Sequence, residues 1–394
     1  LAFVKIFNDP VYGFITVPSG ILLELIEHPF LQRLQRIKQL GLSHYVYPGA
    51  VHSRFHHALG AYHLMTLALN QLRLKGVSIS DEEYTAAQIA ILLHDIGHGP
   101  FSHVLEHTIL PVPHEEITAL MMDRLNREFG DRLALAIRIF RNQYDRPFLH
   151  QLISSQLDTD RLDYLTRDSF FTGVAEGVIG YDRLILMMDV TDQRLVLEEK
   201  AVYSIEKFLT SRKIMYLQVY MHKTAIAAEY MLNLFLSRFK AISNRSWASR
   251  SLSYFLDGKV SRHTDPEEFL PYFASIDDVD IWSLLKEAVQ GPDPMLRFLA
   301  GGLINRRLFR ISMKDENFEA PSGSTPPPDT GLNEAEWDSL RSADIHHFEI
   351  TPYEQGESEI CIRHKAGSLL PFSSLRDMDH LKNSVSRYYR VEPR

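Results

Sequence analysis

Apolar residues recur at helical spacing along most of this chain. Phe30, Leu34 and Ile37, with Gln and Arg between them, predict a helix over residues 29–40 that Gly41 stops. Ser53 is a good N-cap, and a second helix follows through His57, Leu59, Tyr62, His63 and Leu67 to about Leu74. Ser80 or Asp81 caps the next, which carries Ala86, Ala87, Ile89, Ala90, Leu92 and Leu93. It ends at His94-Asp95, because Gly97, Gly99 and Pro100 follow. Further helices are expected over 114–129, 131–142, 148–171, 203–242, 280–290 and 292–306, while 183–198 reads as strand and turn. The start is turn-rich, with Asn8-Asp9-Pro10 and Tyr12-Gly13, before an apolar stretch through Ile21, Leu22, Leu25 and Ile26.

The clearest interruption is residues 320–331, APSGSTPPPDTG, whose Pro, Ser and Gly content predicts a flexible linker or loop. Beyond it, residues 346–350 and 360–363 alternate like strands, and Leu375, Leu381 and Val385 predict a last helix near 374–388. The division expected is a helical domain over 1–310, a linker over 311–337 and a small α+β region over 338–394. No internal repeat interrupts that order.

Composition narrows the function. A chain of 394 residues with 45% apolar content can bury a sizeable core. No apolar run approaches the roughly 20 residues that span a bilayer, so a membrane is not an expected partner. A net charge of -8 argues against a nonspecific nucleic-acid binder. One cysteine, Cys361, cannot form an internal disulfide and suits the cytoplasm. The outlier is 18 histidines, and their placement carries the chemistry.

LLHDIGHGPFSH, residues 92–103, packs His94, Asp95, His98 and His103 around two glycines and a proline. An adjacent His and Asp at a helix end can reach one metal ion if the backbone turns sharply, and Gly97 and Gly99 permit the turn. Imidazole plus carboxylate suits a divalent ion with positions open to water and substrate. A lone His-Asp pair reads as a structural loop; three histidines around the pair shift the balance towards chemistry. SRFHHALG, residues 53–60, places Arg54, His56 and His57 at a helix start. In SSQLDTDRLDYLTRDS, residues 154–169, Asp160, Tyr164 and Asp168 stand four apart on one face, which by itself would read as a solvated face.

These segments, in the order H, then HD, then D, resemble the HD superfamily of metal-dependent phosphohydrolases. More narrowly they are similar to its branch of SAM-and-HD-domain deoxynucleotide triphosphohydrolases and bacterial dNTPases. The similarity spans about residues 5–310, including FNDPVYGF, QRLQRIKQLGLSHYVYPGA and RKIMYLQVYMHK; no SAM domain is present. It implies a mostly α, HD-domain helical fold with a small α+β C-terminal part. It also implies one divalent transition metal (Mn, Fe, Ni, Co or Zn), with Mg as an additional candidate, held by His57, His94, Asp95 and Asp160. His57 is chosen over His56 because it stands three after Arg54, as in the family's R-F-x-H.

By the same resemblance His98, His103 and His114, with Arg54, Arg161 and Arg212, line the phosphates. Gln39, Tyr164, Asp168 and Tyr220 face sugar and base, and Leu40 sits where a 2'-hydroxyl would clash. Several cations and a dication match a triphosphate's charge. His103, oriented by Glu106 one turn on, is the candidate general acid, joining Asp95 and His98 as catalytic candidates. The implied partners are a nucleotide substrate, a dNTP first, and further copies of the chain as a dimer or tetramer. Where the family's mammalian member binds an activating guanine nucleotide, Lys5, Asn8 and Gln32 persist, but Glu27 and Gln35 depart, and Tyr216 replaces a histidine near the substrate. Alternatives are an HD phosphodiesterase or nucleotidase on another phosphoester, and a catalytically weak nucleotide sensor.

Overall fold

The computed structural model describes residues 4–393 apart from 102–103, 106–107, 109, 243–246, 259, 262, 316–317, 319–325, 328–329, 341–345, 352, 357–358 and 376–384. The chain is mostly helical, as the pattern of apolar positions requires. It opens on an antiparallel hairpin, β1 (Val4–Asp9) and β2 (Gly13–Pro18), where only turns were expected. The Asp9 carboxylate closes that turn, accepting from the backbone N–H of Val11 and Tyr12 at 2.9 Å each.

Helices α1 (Ile21–Glu27) and α2 (Pro29–Gln32) follow. The expected 29–40 helix is corrected: after α2 the backbone tightens into a 3-10 turn, Arg33–Arg36, and ends at Ile37. Arg33, read as a polar position, points inward instead. Its guanidinium donates to the carbonyls of Ile96 (2.7 Å), His98 (2.9 Å) and Ile276 (3.2 Å), tying this turn to the loop after α4.

The central helix α3 (Arg54–Leu74) is buried on nearly all sides, and it packs on α4 (Asp81–Leu93) and α8 (Thr159–Thr172). Ser80 and Glu83 form the capping box that starts α4, with reciprocal bonds of 3.1 and 2.8 Å. Between α4 and α8 lie α5 (His114–Glu128), α6 (Ala134–Phe140) and α7 (Pro147–Gln151). The expected 148–171 helix is therefore two helices. Asp158 restarts the backbone as the N-cap of α8, accepting from Arg161 N–H at 2.7 Å.

Residues 183–198, expected as strand and turn, hold the end of α9 (Tyr181–Met187) and then β3 (Met188–Thr191) and β4 (Arg194–Glu198). The long 203–242 helix is also corrected. It is α10 (Val202–Met215), a π-helical turn Tyr216–Tyr220, and α11 (Lys223–Ala241), which His222 caps by accepting from Thr224 N–H at 3.1 Å. Helices α12 (Arg250–Leu256), α13 (Pro266–Phe273), α14 (Asp278–Ala288) and α15 (Pro294–Ile304) complete the helical body.

The rest is β5 (Arg310–Lys314), α16 (Glu334–Leu340), β6 (His346–Ile350), β7 (Cys361–Arg363), β8 (Leu369–Pro371) and β9 (Val385–Glu392). These strands extend earlier ones. The order β3-β4-β7-β8 has β7 parallel to β4, and β9 lies between β5 and β6. The expected helix near 374–388 is overturned where it is described: residues 385–388 belong to β9. The β-branched and aromatic residues Val385, Tyr388, Tyr389 and Val391 favour a strand, and two neighbours complete its ladder. Of the linker expected over 311–337, residues 316–317, 319–325 and 328–329 lie outside the described residues, and its two ends are not linker but β5 (Arg310–Lys314) and the start of α16 (Glu334–Leu340).

Candidate metal centre and substrate cavity

Three helices deliver one cluster. α3 supplies His57 from its first turn, the C-terminal end of α4 supplies His94 and Asp95, and α8 supplies Asp160 from its first turn. The Nε2 atoms of His57 and His94 lie 3.3 Å apart, and each faces Asp160 Oδ1, at 3.1 and 3.4 Å. Three atoms each about 2.1 Å from one ion stand roughly 3.0–3.4 Å from one another, so this triangle fits a single cation.

The second nitrogens decide which form the imidazoles take. His57 Nδ1 lies 2.7 Å from Asp163 Oδ2, and His94 Nδ1 lies 2.6 Å from the Ile91 carbonyl, both acceptors. Both Nδ1 atoms therefore carry the hydrogen, and both Nε2 lone pairs point at each other and at a carboxylate. Such an arrangement repels itself unless a cation lies within it. Burial works against charge on His57, but Asp160 and Asp163 outweigh it and raise its pKa to about 10. The field that would hold a proton there also favours a metal ion. Asp95 stands beside the triangle, with Oδ1 3.4 Å from His94 Nε2 and Oδ2 3.8 Å from His57 Nε2.

A shell of buried charge supports these ligands. Asp163 is gripped by Arg167 through Nε and Nη2 at 3.0 Å each, and Arg167 Nη1 reaches Asp9 of the hairpin at 2.7 Å. A Cβ on Gly60 would lie 2.0 Å from Asp163 Oδ1, which explains the glycine in the middle of α3. Arg54 Nη1 donates to Asp95 Oδ2 at 2.6 Å, and His98 Nε2 meets Asp95 Oδ1 at 3.3 Å. Burial opposes charge on Asp95, but His94 and Arg54, with a hydrogen bond from His98, prevail and keep its pKa well below the usual range. His98 behaves oppositely: burial and the Arg54 guanidinium push its pKa well down, so it is neutral at pH 7. Its ring stacks on His114, centroids 3.9 Å apart.

Gly97 shows why the loop after α4 turns as it does. A Cβ there would lie 2.2 Å from the His114 carbonyl and 2.4 Å from Thr118 N. Thr118 Oγ1 ties the loop down, accepting from Gly97 N–H at 3.0 Å and donating to the His94 carbonyl at 3.1 Å.

The cluster opens on a cavity of about 510 Å³. Its walls include Gln39, Leu40, Arg54, His98, His114, Arg161, Tyr164, Asp168 and Tyr220, so residues far apart in sequence meet around one space. Asp168 is buried; His52 Nε2 lies 2.7 Å from one oxygen, and Tyr220 donates to the other at 2.8 Å. Arg161 is paired with Asp158 at 2.5 Å. It lines both this cavity and a neighbouring one of about 230 Å³, where Arg212 lies with Gln156 and Glu354.

A profile of the HD domain matches residues 54–168, and one of an HD associated region matches residues 179–265. The uncharacterized protein YwfO of Bacillus subtilis is 31% identical over 333 residues, covering 80% of this chain and 73% of that protein. A solved phosphohydrolase from Bacteroides thetaiotaomicron shares 44% identity over the full length of both chains, with a TM-score of 0.91. The chain belongs to the HD-domain phosphohydrolase superfamily. The human deoxynucleoside triphosphate triphosphohydrolase SAMHD1 is 28% identical over 274 residues, covering 58% of this chain and 44% of that protein.

The HD domain's first matched residue is Arg54 and its last is Asp168, so the profile encloses His57, His94 and Asp160. His103 and Glu106, named as acid and orienting group, lie outside the described residues. Arg212 lines the adjoining cavity rather than the main one. The sequence reading missed Lys38, Ser43, Phe101, Glu115 and Glu229 as cavity wall. Lys38 had a signal, since it precedes Gln39-Leu40; Glu229 had none, because it sits two turns into an amphipathic helix. Among the described residues, no helix is long and apolar enough to cross a membrane.

Proposed function

We propose that this HD-domain protein hydrolyses deoxynucleoside triphosphates to deoxynucleoside and tripolyphosphate. One observation carries the reading: Asp160 of the His57–His94–Asp160 triangle borders, together with Asp95, Arg54 and Arg161, a single cavity of nucleotide size. The name of the SAMHD1 relatives supports the same substrate class.

His57, His94, Asp95 and Asp160 would hold one divalent ion, which when bound supplies Lewis acidity towards a phosphoryl oxygen and acidifies water. Arg54 and Arg161 neutralise phosphate charge, and Arg212, sharing a cavity with Arg161, receives the outer end of the phosphate chain. His98, neutral and stacked on His114, offers a hydrogen bond without adding charge. Tyr164, Asp168 and Tyr220 hold the sugar, beside Gln39, with Leu40 excluding a 2'-hydroxyl. His103, with Glu106, protonates the leaving 5'-oxygen. Water adds to the α-phosphorus, the bond to that oxygen breaks, and the added oxygen leaves on tripolyphosphate. The reading also places the protein in the cytoplasm as a homo-oligomer.

The test is product analysis with each dNTP and NTP in Mn²⁺ or Mg²⁺, with Asp95→Ala as control. Deoxynucleoside and tripolyphosphate in equal amounts, absent from the control, are expected. Deoxynucleoside monophosphate and pyrophosphate as the only products would overturn the assignment of the cleaved bond.

A further inference from the structure

The cavity wall contains a carboxyl that the chemistry above does not use. Glu229, from α11, lines the same cavity as Arg54 and Arg161. The other carboxylates deep in this region are paired: Asp158 with Arg161, Asp163 with Arg167, and Asp168 with His52 and Tyr220. Among the described residues, none gives Glu229 a hydrogen bond or a salt bridge. Burial raises its pKa to about 7, with no cation to offset it. Its ionisable neighbour is Tyr389 of β9, itself raised to about 12 by burial and then by Glu229. Glu229 is half-buried on the cavity wall, so a ligand with hydrogen-bond donors can supply the partner its carboxyl lacks among the described residues.

Charge restricts which part of a ligand Glu229 can meet. Phosphates are drawn to Arg54 and Arg161 and repelled by a carboxylate. The sugar falls to Tyr164, Asp168 and Tyr220, on α8 and the π-helical turn. What remains of a nucleotide is its base. Above about pH 7 the carboxyl is ionised, and a carboxylate only accepts. Guanine presents two adjacent donors, a ring N–H and an amino group, which match two carboxylate oxygens. Adenine and cytosine put a lone pair beside their amino group, and thymine flanks its one N–H with two carbonyls.

We propose that Glu229 selects the nucleobase, accepting hydrogen bonds from the adjacent ring N–H and amino group of guanine. This rests on the nucleotide reading above and predicts the order guanine, then adenine or cytosine, then thymine.

The experiment compares kcat/KM at about pH 8, where the Glu229 carboxyl is mostly ionised, for the four dNTPs and for deoxyinosine triphosphate, which lacks the 2-amino group, in the wild-type protein and in Glu229→Gln. Guanine is expected to lead thymine by about 10–100-fold, and loss of the 2-amino group to cost roughly 10-fold. Glu229→Gln should lower guanine relative to adenine by at least about 10-fold, since the amide turns a donor towards guanine's donors. The inosine comparison needs no substitution, so it stands even if the variant fails to fold. Equal rates on all bases by the wild-type protein, an unchanged preference in the variant, or the same loss on every base would each overturn the proposal while leaving the nucleotide reading intact. No turnover of any nucleotide would overturn that reading, and the proposal with it.

Discussion

His57 donates its Nδ1 hydrogen to the buried carboxylate of Asp163 at 2.7 Å. This bond turns the Nε2 lone pair towards His94 and Asp160. Asp163 stays ionised despite burial because Arg167, and then His57, hold its pKa down. The His57–His94–Asp160 triangle is thus set from behind by an ion pair that also anchors Asp9 of the N-terminal hairpin.

Asp163→Asn tests that support. The amide weakens orientation of His57 and leaves Arg167 buried with only Asp9 as its carboxylate partner. Metal affinity should fall by about 10–100-fold, and stability by roughly 3 kcal/mol. Metal titration and thermal unfolding read the two effects; wild-type affinity in a destabilised variant would separate Asp163 from the metal site.

Gly97→Ala tests the loop. Its Cβ would meet two backbone atoms at 2.2 and 2.4 Å, and neither can move like a flexible side chain. The variant should lose about 1–3 kcal/mol by denaturant unfolding, together with most turnover, because His94 and Asp95 move with the loop. Unchanged stability would show that this approach is not close in the protein.

Tyr220→Phe removes the 2.8 Å bond to Asp168 and leaves that carboxylate on His52 alone. A stability loss of about 1–2 kcal/mol is expected. If Asp168 and Tyr220 hold the sugar, KM should rise more than kcat falls. An effect on kcat alone would place the pair with the reacting phosphate instead.

Asp278 supplies a pH dependence. Burial raises its pKa to about 6, against the backbone N–H of Lys38, which donates to it at 3.0 Å. An acid with a raised folded pKa binds its proton more tightly in the folded state, so stability is lost as pH rises from about 4 to 6. Asp278→Asn removes this loss. It should match wild type below about pH 4 and exceed it at pH 7 by on the order of 2 kcal/mol. Thermal unfolding across pH checks the sign, and a variant less stable at pH 7 would contradict it.

The helices with strong N-caps were legible in the sequence. Ser53 and Ser80 start α3 and α4 where expected, and the HD turn ends α4 as Gly97 demanded. Interruptions were not legible, because apolar periodicity continues through Tyr216–Tyr220 while the backbone changes to a π turn. That turn is shaped by what packs around it, a tertiary effect that spacing does not encode. The inward turn of Arg33 and the strand at Val385–Glu392 are of the same kind, since carbonyls from distant loops and strands from earlier in the chain stabilise them. The residues that meet in the triangle were legible because His57, His94 and Asp160 sit in short distinctive segments. The supporting Asp163 was hidden among four aspartates of one polar segment, and only the fold shows that it faces His57.

His57, His94 and Asp160 are expected to gather around one divalent ion on which hydrolysis depends. The most direct test measures metal content and dNTP turnover on the same sample, before and after dialysis against a chelator and after adding back Mn²⁺. About one ion per chain, lost together with turnover and restored with it, is expected, and Asp160→Ala should lack both. Full turnover by protein holding well under about 0.1 ion per chain would show that hydrolysis needs no ion at these residues.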